Sequence, residues 1–425
     1  MTMRTDICGL DFGTSNSEIG IVRGGVPQLV DVEAGRKKIP TTIFFDNDSR
    51  SDFFGEAAIE RFLEGHSGRM MWAIKSVLGT AIQGEATMIR GRRVAFEQII
   101  TRILANLKWR ADAAAGVELR AVMLGRPVHF NDDDAKLDRE AEAILRRAAA
   151  QAGFEEIEVE LEPVAAGIEF ETQLEHEQLG LVVDIGGGTS DFSVIRLTPV
   201  ARHTGAGRRE RVLSVAGIHI GGTDFDRLLS VERLMPELGL GSSYRDHQGQ
   251  VLEMPQWVFH DLASWLRINF IYDNRMLDGI YAIVDRNKIE NRRLARLGRV
   301  LGGHHGHALA RIIEAAKIEL SDRQITEVLL DLVEPRLALS ITRDELESAI
   351  AGHLDQIERV LMQAVRDSGV AAPEIAVVFF TGGGSLLPEV RRRVGRLMPQ
   401  AEQIDTDQFG GIARGLTIEA QRLFA

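Results

Sequence analysis

Two stretches of this chain share one pattern of apolar and polar positions. Ile7-Cys8-Gly9-Leu10-Asp11-Phe12-Gly13-Thr14-Ser15-Asn16 is an apolar run that ends in an aspartate and a Gly-Thr turn. Leu181-Val182-Val183-Asp184-Ile185-Gly186-Gly187-Gly188-Thr189-Ser190-Asp191 repeats the plan. After each turn the chain resumes an extended pattern, Glu18–Val22 and Phe192–Leu197, so each motif reads as strand-turn-strand. A P-loop or a dinucleotide-binding fold would pass from the glycine turn into a helix, and neither glycine fingerprint is present. The duplication predicts an α/β protein of two similar lobes that face each other with a ligand between them.

Helical periodicity covers Glu97–Ala115, Asp134–Ala152, Asp224–Leu234, Leu309–Leu320 and Asp344–Asp367. A strand at Ala121–Leu124 runs into Gly125-Arg126-Pro127, and another at Ile375–Phe380 runs into Thr381-Gly382-Gly383-Gly384. Pro388 falls near the start of the next helix, where proline is tolerated. The chain closes on a glycine-interrupted helix, Gly411–Phe424. The expected division is a first lobe at 1–178 with a subdomain inserted at about 38–115. A second lobe at 179–425 carries an insertion at about 235–307, and its last helix, 410–425, returns toward the first. Trp257 and Trp265, eight apart, suit one face of a helix anchoring that insertion. Arg202–Arg211 reads as a solvated basic turn, and His304, His305 and His307 as a polar loop rather than a metal tract.

Composition narrows the function classes. The chain has 425 residues, enough for two or three domains, with 44% hydrophobic and 26% charged residues. A net charge of −12 excludes a general nucleic-acid or acidic-membrane binder, since those partners need clustered lysine and arginine. Cys8 is the single cysteine, so no intrachain disulfide forms and a reducing, cytoplasmic setting is expected. Met1–Asp6 lacks an apolar signal core, and no apolar run is long enough to span a bilayer.

Glycines in tight turns expose successive backbone N–H groups and make an anion-binding concavity, to which Thr14, Ser15 and Thr189 add hydroxyls. One such turn is a common hairpin; two matched ones and a third glycine run at Gly382–Gly384 point to phosphates. Carboxylates beside phosphates need an intervening cation, and Mg²⁺ held through waters fits Asp11, Asp184 and Asp191. Glu162, at the head of Glu162-Pro163-Val164-Ala165-Ala166-Gly167, is a fourth carboxylate; alone it reads equally well as a helix N-terminal acid.

These motifs, in order from near residue 7 to the end, resemble the nucleotide-binding domain of the seventy-kilodalton heat-shock chaperones, the DnaK family. The resemblance rests on both Asp-Gly-Thr loops, on Trp72–Gly79 with its lysine, on Gly125–Asp132 and on Leu161–Gly167. It continues through Gly221-Gly222-Thr223-Asp224-Phe225-Asp226, Ile313–Ser321, Gly382–Gly384 and Gly410-Gly411-Ile412-Ala413. It implies the actin-like ATPase fold, with ribonuclease H-like duplicated lobes around a nucleotide cleft, and Mg²⁺-dependent ATP hydrolysis to ADP. It implies that Gly13, Thr14, Ser15, Asn16, Gly186, Gly187, Gly188, Thr189, Gly221, Gly222, Gly382, Gly383 and Gly384 line the phosphates. Glu314, Lys317 and Ser321 would touch ribose and adenine. Asp11, Glu162, Asp184 and Asp191 would hold hydrated Mg²⁺, with K⁺ near Asp184 and Thr189. Lys75 would position the attacking water, with Glu162, Asp184 and Thr189 as its catalytic neighbours; by itself it reads as an exposed lysine.

The chain also departs from the pattern. Ile318 and Leu386 stand where the family has arginines beside the adenine, which predicts a weaker or altered adenine pose. The arginine expected after Asn131 is not evident. The sequence ends at Ala425, just past the second hinge motif, as in the short YegD-like branch, so client-peptide binding of the usual kind is not expected. Client or co-chaperone proteins remain the implied partners. Two other functions share the fold: a sugar-type kinase, with Asp224 or Asp226 as base, and a filament protein of the bacterial actin kind.

Overall fold

A computed structural model describes residues 4–424, apart from 132, 172–173, 200–210, 266, 269–270, 272–276 and 407–410. Gly410 and nearly all of the basic stretch from 202 therefore lie outside the described residues. Both duplicated motifs form antiparallel hairpins, Ile7–Phe12 with Asn16–Arg23 and Gln178–Ile185 with Ser190–Leu197. The buried apolar runs on their first strands explain why: Ile7, Leu10 and Phe12, like Leu181, Val183 and Ile185, are fully covered.

Each hairpin nucleates a sheet, and the two sheets have one topology. In the first, the strand order is Glu156–Leu161, Ala121–Arg126, Ile7–Phe12, Asn16–Arg23, Val26–Leu29. The leading three run parallel and the last two antiparallel. In the second, Glu402–Asp405, Ile375–Thr381, Gln178–Ile185, Ser190–Leu197 and Val212–Ile218 repeat that order and polarity. Parallel strands need helical crossovers, and Phe96–Ala115, Ala135–Gln151 and Arg343–Asp367 supply the covering helices. Asp134 caps the second of these by accepting from Lys136 N and Leu137 N.

Two helices tie the sheets together. Glu162–Glu171 packs Ala165 and Ile168 with Met123 and Leu416, while Ala166 and Phe170 face Val182 and Phe379 of the other sheet. Gly411–Phe424 lies on the first sheet at backbone contact. A Cβ on Gly9 would sit 2.2 Å from Thr417 N, and one on Gly20 2.2 Å from Thr417 Oγ1. Gly9→Val is therefore expected to force the helix off the sheet, at a cost of about 1–3 kcal/mol or more. A thermal melt checks this; a midpoint within 2 °C of the parent would refute the close approach.

A second bridge between the lobes is aromatic. Trp72, at the end of strand Gly68–Trp72, meets Trp265 with ring centroids 4.4 Å apart. Trp265 also meets His307 at 4.6 Å, and His307 meets Phe62 at 4.7 Å. Arg311 reaches Glu56 of helix Glu56–Leu63 at 3.2 Å beside them. Two sequence readings are corrected here. The helix carrying Trp257 stops at Leu262, so Trp265 leaves its face and turns to the other lobe. His307 is no loop residue: it lies in the first turn of Gly306–Asp322 and is 6% exposed.

Burial lowers the His307 pKa from 6.5 to about 4. The unfolded chain therefore takes up this proton near pH 6.5 and the folded chain only near 4, so stability falls as pH drops through that window. The loss amounts to on the order of 3 kcal/mol. The rings of Phe62 and Trp265 pack against it. His307→Phe should flatten the pH dependence of melting between 6.5 and 4; an unchanged slope would count against a neutral buried imidazole.

Candidate functional site

The hairpin turns of the two sheets meet. In the first, Gly13 is required because a Cβ would fall 2.1 Å from Asn16 O. In the second, Gly186 N donates to Thr189 O at 2.9 Å. Gly187 touches the first turn: a Cβ there would come within 2.1 Å of Ser15 Oγ. Gly221 and Gly222 lie behind the second turn, where the N–H groups of Gly222 and Thr223 donate to Gly186 O and Gly187 O at 2.9 and 2.8 Å. Gly382, at φ 77, brings the third glycine run against Ile185 O and Asp184 Oδ1. A Cβ on Gly188 or Gly383 would meet open space. Thr14 and Asn16 sit in or beside the first turn, half-buried and exposed respectively.

Strand register then places the charges. Asp11 is the penultimate residue of its strand, opposite Glu18. Asp184 stands opposite both Asp191 and Thr381, and Thr189 Oγ1 donates to Asp191 Oδ2 at 2.9 Å. Glu162 follows Leu161, the partner of Arg126 two strands from Asp11. Lys75, in a short 3-10 turn at Ile74–Val77, is 8% exposed and donates from Nζ to Glu162 Oε1 at 2.7 Å. Ala73 begins that turn in the left-handed region, at φ 50.

The charges do not balance. Burial, and then Glu162, hold the Asp11 carboxyl well above its usual range. Burial, Asp191 and Glu162 push Asp184 up to about 7. Burial alone would lower the Lys75 pKa, but Glu162 and Asp11 outweigh it and raise it. Acids still pushed up beside Lys75 mark an excess of negative charge that a cation would relieve. Among the described residues no three His, Cys, Asp or Glu side chains converge for direct ligation. A magnesium ion that keeps its waters needs no such convergence, so this donor set fits one.

Helix Gly306–Asp322 places Glu314, Ile318 and Ser321 along one side, the first two exposed and the third half-buried. Lys317 points elsewhere, into the back of the glycine turns, 2.9 Å from Asp226 and 3.1 Å from Gly222 O. Burial pushes Asp226 up to about 6 against the pull of Lys317. Asp224 Oδ2 accepts from Gly221 N at 3.1 Å, so both acids after the Gly-Gly pair have structural partners. That engagement was not visible in sequence, where an Asp-Phe-Asp spacing reads as spare acids. Ile318 and Leu386 are 59% and 39% exposed. A family model described as Hsp70 protein matches residues 7–239 and 304–424, leaving unmatched the stretch that contains Trp257 and Trp265.

Proposed function

This chain belongs to the Hsp70 family, and on that premise we propose that it binds Mg-ATP between its lobes, hydrolyses it, and opens or closes with the nucleotide held. The family has the actin-like ATPase fold, and its members are chaperone-type ATP-binding proteins that use ATP, ADP and Mg²⁺. The observation that carries the reading is the buried Lys75–Glu162 pair, 2.7 Å apart, on a floor with Asp11 and Asp184. The lobes proposed are 1–178 and 179–425, with client or co-chaperone proteins as partners.

In this reading the backbone of Gly13–Ser15 and Gly186–Thr189 holds the phosphates, and the exposed side of Gly306–Asp322 takes the ribose and base. Asp11, Glu162, Asp184 and Asp191 would hold Mg²⁺, which when bound would supply charge neutralisation at the phosphates. Lys75 orients the attacking water and offsets charge that develops on the transferred phosphoryl group. Glu162 holds the amine in place, and the high Lys75 pKa keeps it charged at neutral pH. A sugar-type kinase would need a free carboxylate base. The two candidates are engaged, Asp226 by Lys317 and Asp224 by Gly221 N, which favours water as the acceptor. Single-turnover release of phosphate from Mg-ATP, with and without a panel of sugars and polyols, tests the assignment. Release independent of acceptor supports it; tight binding with no release, or phosphorylated acceptor, overturns it.

A further inference from the structure

The least exposed charged side chain near the site was given no role by the sequence. Arg126, the last residue of strand Ala121–Arg126, is 2% exposed. A buried guanidinium is tolerated only where its donors are met, and here they are. Its Nη2 donates to Asp138 Oδ1 at 2.8 Å and to Val128 O at 3.2 Å, and its Nη1 to Glu142 Oε2 at 2.5 Å. Its Nε donates to Pro127 O at 2.9 Å, and the Phe130 ring centroid lies 5.0 Å away. Asp138 Oδ1 also accepts from Phe130 N at 2.7 Å. Burial alone would raise the Asp138 carboxyl, but Phe130 N–H and Arg126 outweigh it and hold it below the usual range.

These bonds fold segment 127–131 around the guanidinium, and that segment carries one side of the candidate site. Gly79, four residues after Lys75, lies against it: a Cβ on Gly79 would be 2.1 Å from Phe130 O, and Asn131 Nδ2 donates to Gly79 O at 2.7 Å. Gln83 adds a second tie, accepting from Gly79 N at 2.8 Å and donating to Leu137 O at 3.4 Å. Leu78 N in turn donates to Lys75 O. Arg126 reaches the other side through the backbone. Its strand partner is Leu161, the residue before Glu162, and the Glu162 side chain lies over Gly125, with Cγ 3.2 Å from where a Cβ would be. Lys75 and Glu162 close the circuit at 2.7 Å.

We propose that Arg126 is a positioning residue that fixes Lys75 and Glu162 relative to each other, and so sets the rate of the chemical step without touching nucleotide. The inference rests on the ATPase reading above. An arginine suits the task because one planar fork serves acceptors in several directions at once, which a lysine cannot do. Removing it lets the 127–131 segment relax, and a displacement of about 1 Å at a reacting group costs up to about 100-fold in rate.

The test compares Arg126→Lys, Lys75→Ala and the double variant with the parent, using Mg-ATP. Arg126→Lys should slow single-turnover phosphate release about 10- to 100-fold with the dissociation constant for ATP within twofold. Combined with Lys75→Ala it should add no further loss, because its effect passes through that lysine. A further loss in the double variant, or weakened binding in place of slowed release, would overturn the proposal and leave Arg126 a packing residue. If Arg126→Lys does not fold, Asp138→Asn loosens the same segment and should give the same pattern more weakly. A readout free of catalysis separates this idea from the ATPase reading: the Lys75 Nζ–Glu162 Oε1 distance in a crystal structure of Arg126→Lys. Lengthening beyond hydrogen-bond range supports positioning even if the parent releases no phosphate; an unchanged distance refutes it.

Discussion

Lys75→Ala is expected to lower single-turnover phosphate release about 100- to 1000-fold, the usual loss when one fixed electrostatic donor is removed from a buried site. The ammonium is buried, paired at 2.7 Å, and draws down the carboxyls of Asp11 and Asp184 that burial and their acidic neighbours push up. Its removal subtracts positive charge where the phosphoryl transfer places negative charge, while the glycine turns that would grip the phosphates are untouched. Affinity for ATP should therefore change far less than the rate. Glu162 loses its partner, so a melt must accompany the kinetics; a variant that remains folded and releases phosphate at the parental rate would show that the lysine has another role.

Trp265→Ala should speed nucleotide release about 2- to 12-fold. A nucleotide seated between lobes departs when they part, and parting breaks the ring contact that Trp265 makes with Trp72, whereas its contact with His307 lies within one lobe. Such a pair is worth about 0.5–1.5 kcal/mol beyond the area it buries. The Glu56–Arg311 ion pair adds little, being partly exposed. Stopped-flow displacement of a fluorescent ATP analogue gives the rate directly. If release were unaltered, the aromatic bridge would not be limiting and opening would have to occur elsewhere.

Much of this architecture was legible because both hairpins carry their signals locally. An apolar run, an aspartate and a Gly-Thr turn name a strand, a charge and a bend within ten residues. The helix at 96–115 and the closing helix 411–424 were likewise carried by their own periodicity. What escaped was long-range. Helix Asp224–Leu234 was read as one piece; the α-helix instead spans Gly222–Leu229, a wider π turn follows, and Pro236 falls within a 3-10 turn. Taken alone, apart from the family resemblance, Lys75 reads as an exposed or snorkelling lysine because nothing within its own segment announces Glu162, 87 positions away. Arg126 was invisible for a similar reason: an arginine beside a proline looks like a turn until two acids of the following helix are folded onto it. His307 and Trp265 each took the meaning of their neighbours in sequence, whereas Phe62 and Trp72, which they meet, lie on the opposite lobe.

The stacked indoles also give the molecule an optical property. Trp72 and Trp265 stand 4.4 Å apart with their planes inclined by 36°, close enough for their excited states to couple. Such a pair produces a bisignate far-ultraviolet circular dichroism band, which vanishes on separation. The remaining tryptophans, Trp109 on an exposed helix face and Trp257 half-buried, contribute only a steady background. The protein thus carries its own unlabelled gauge of lobe separation, readable in real time as nucleotide enters and leaves.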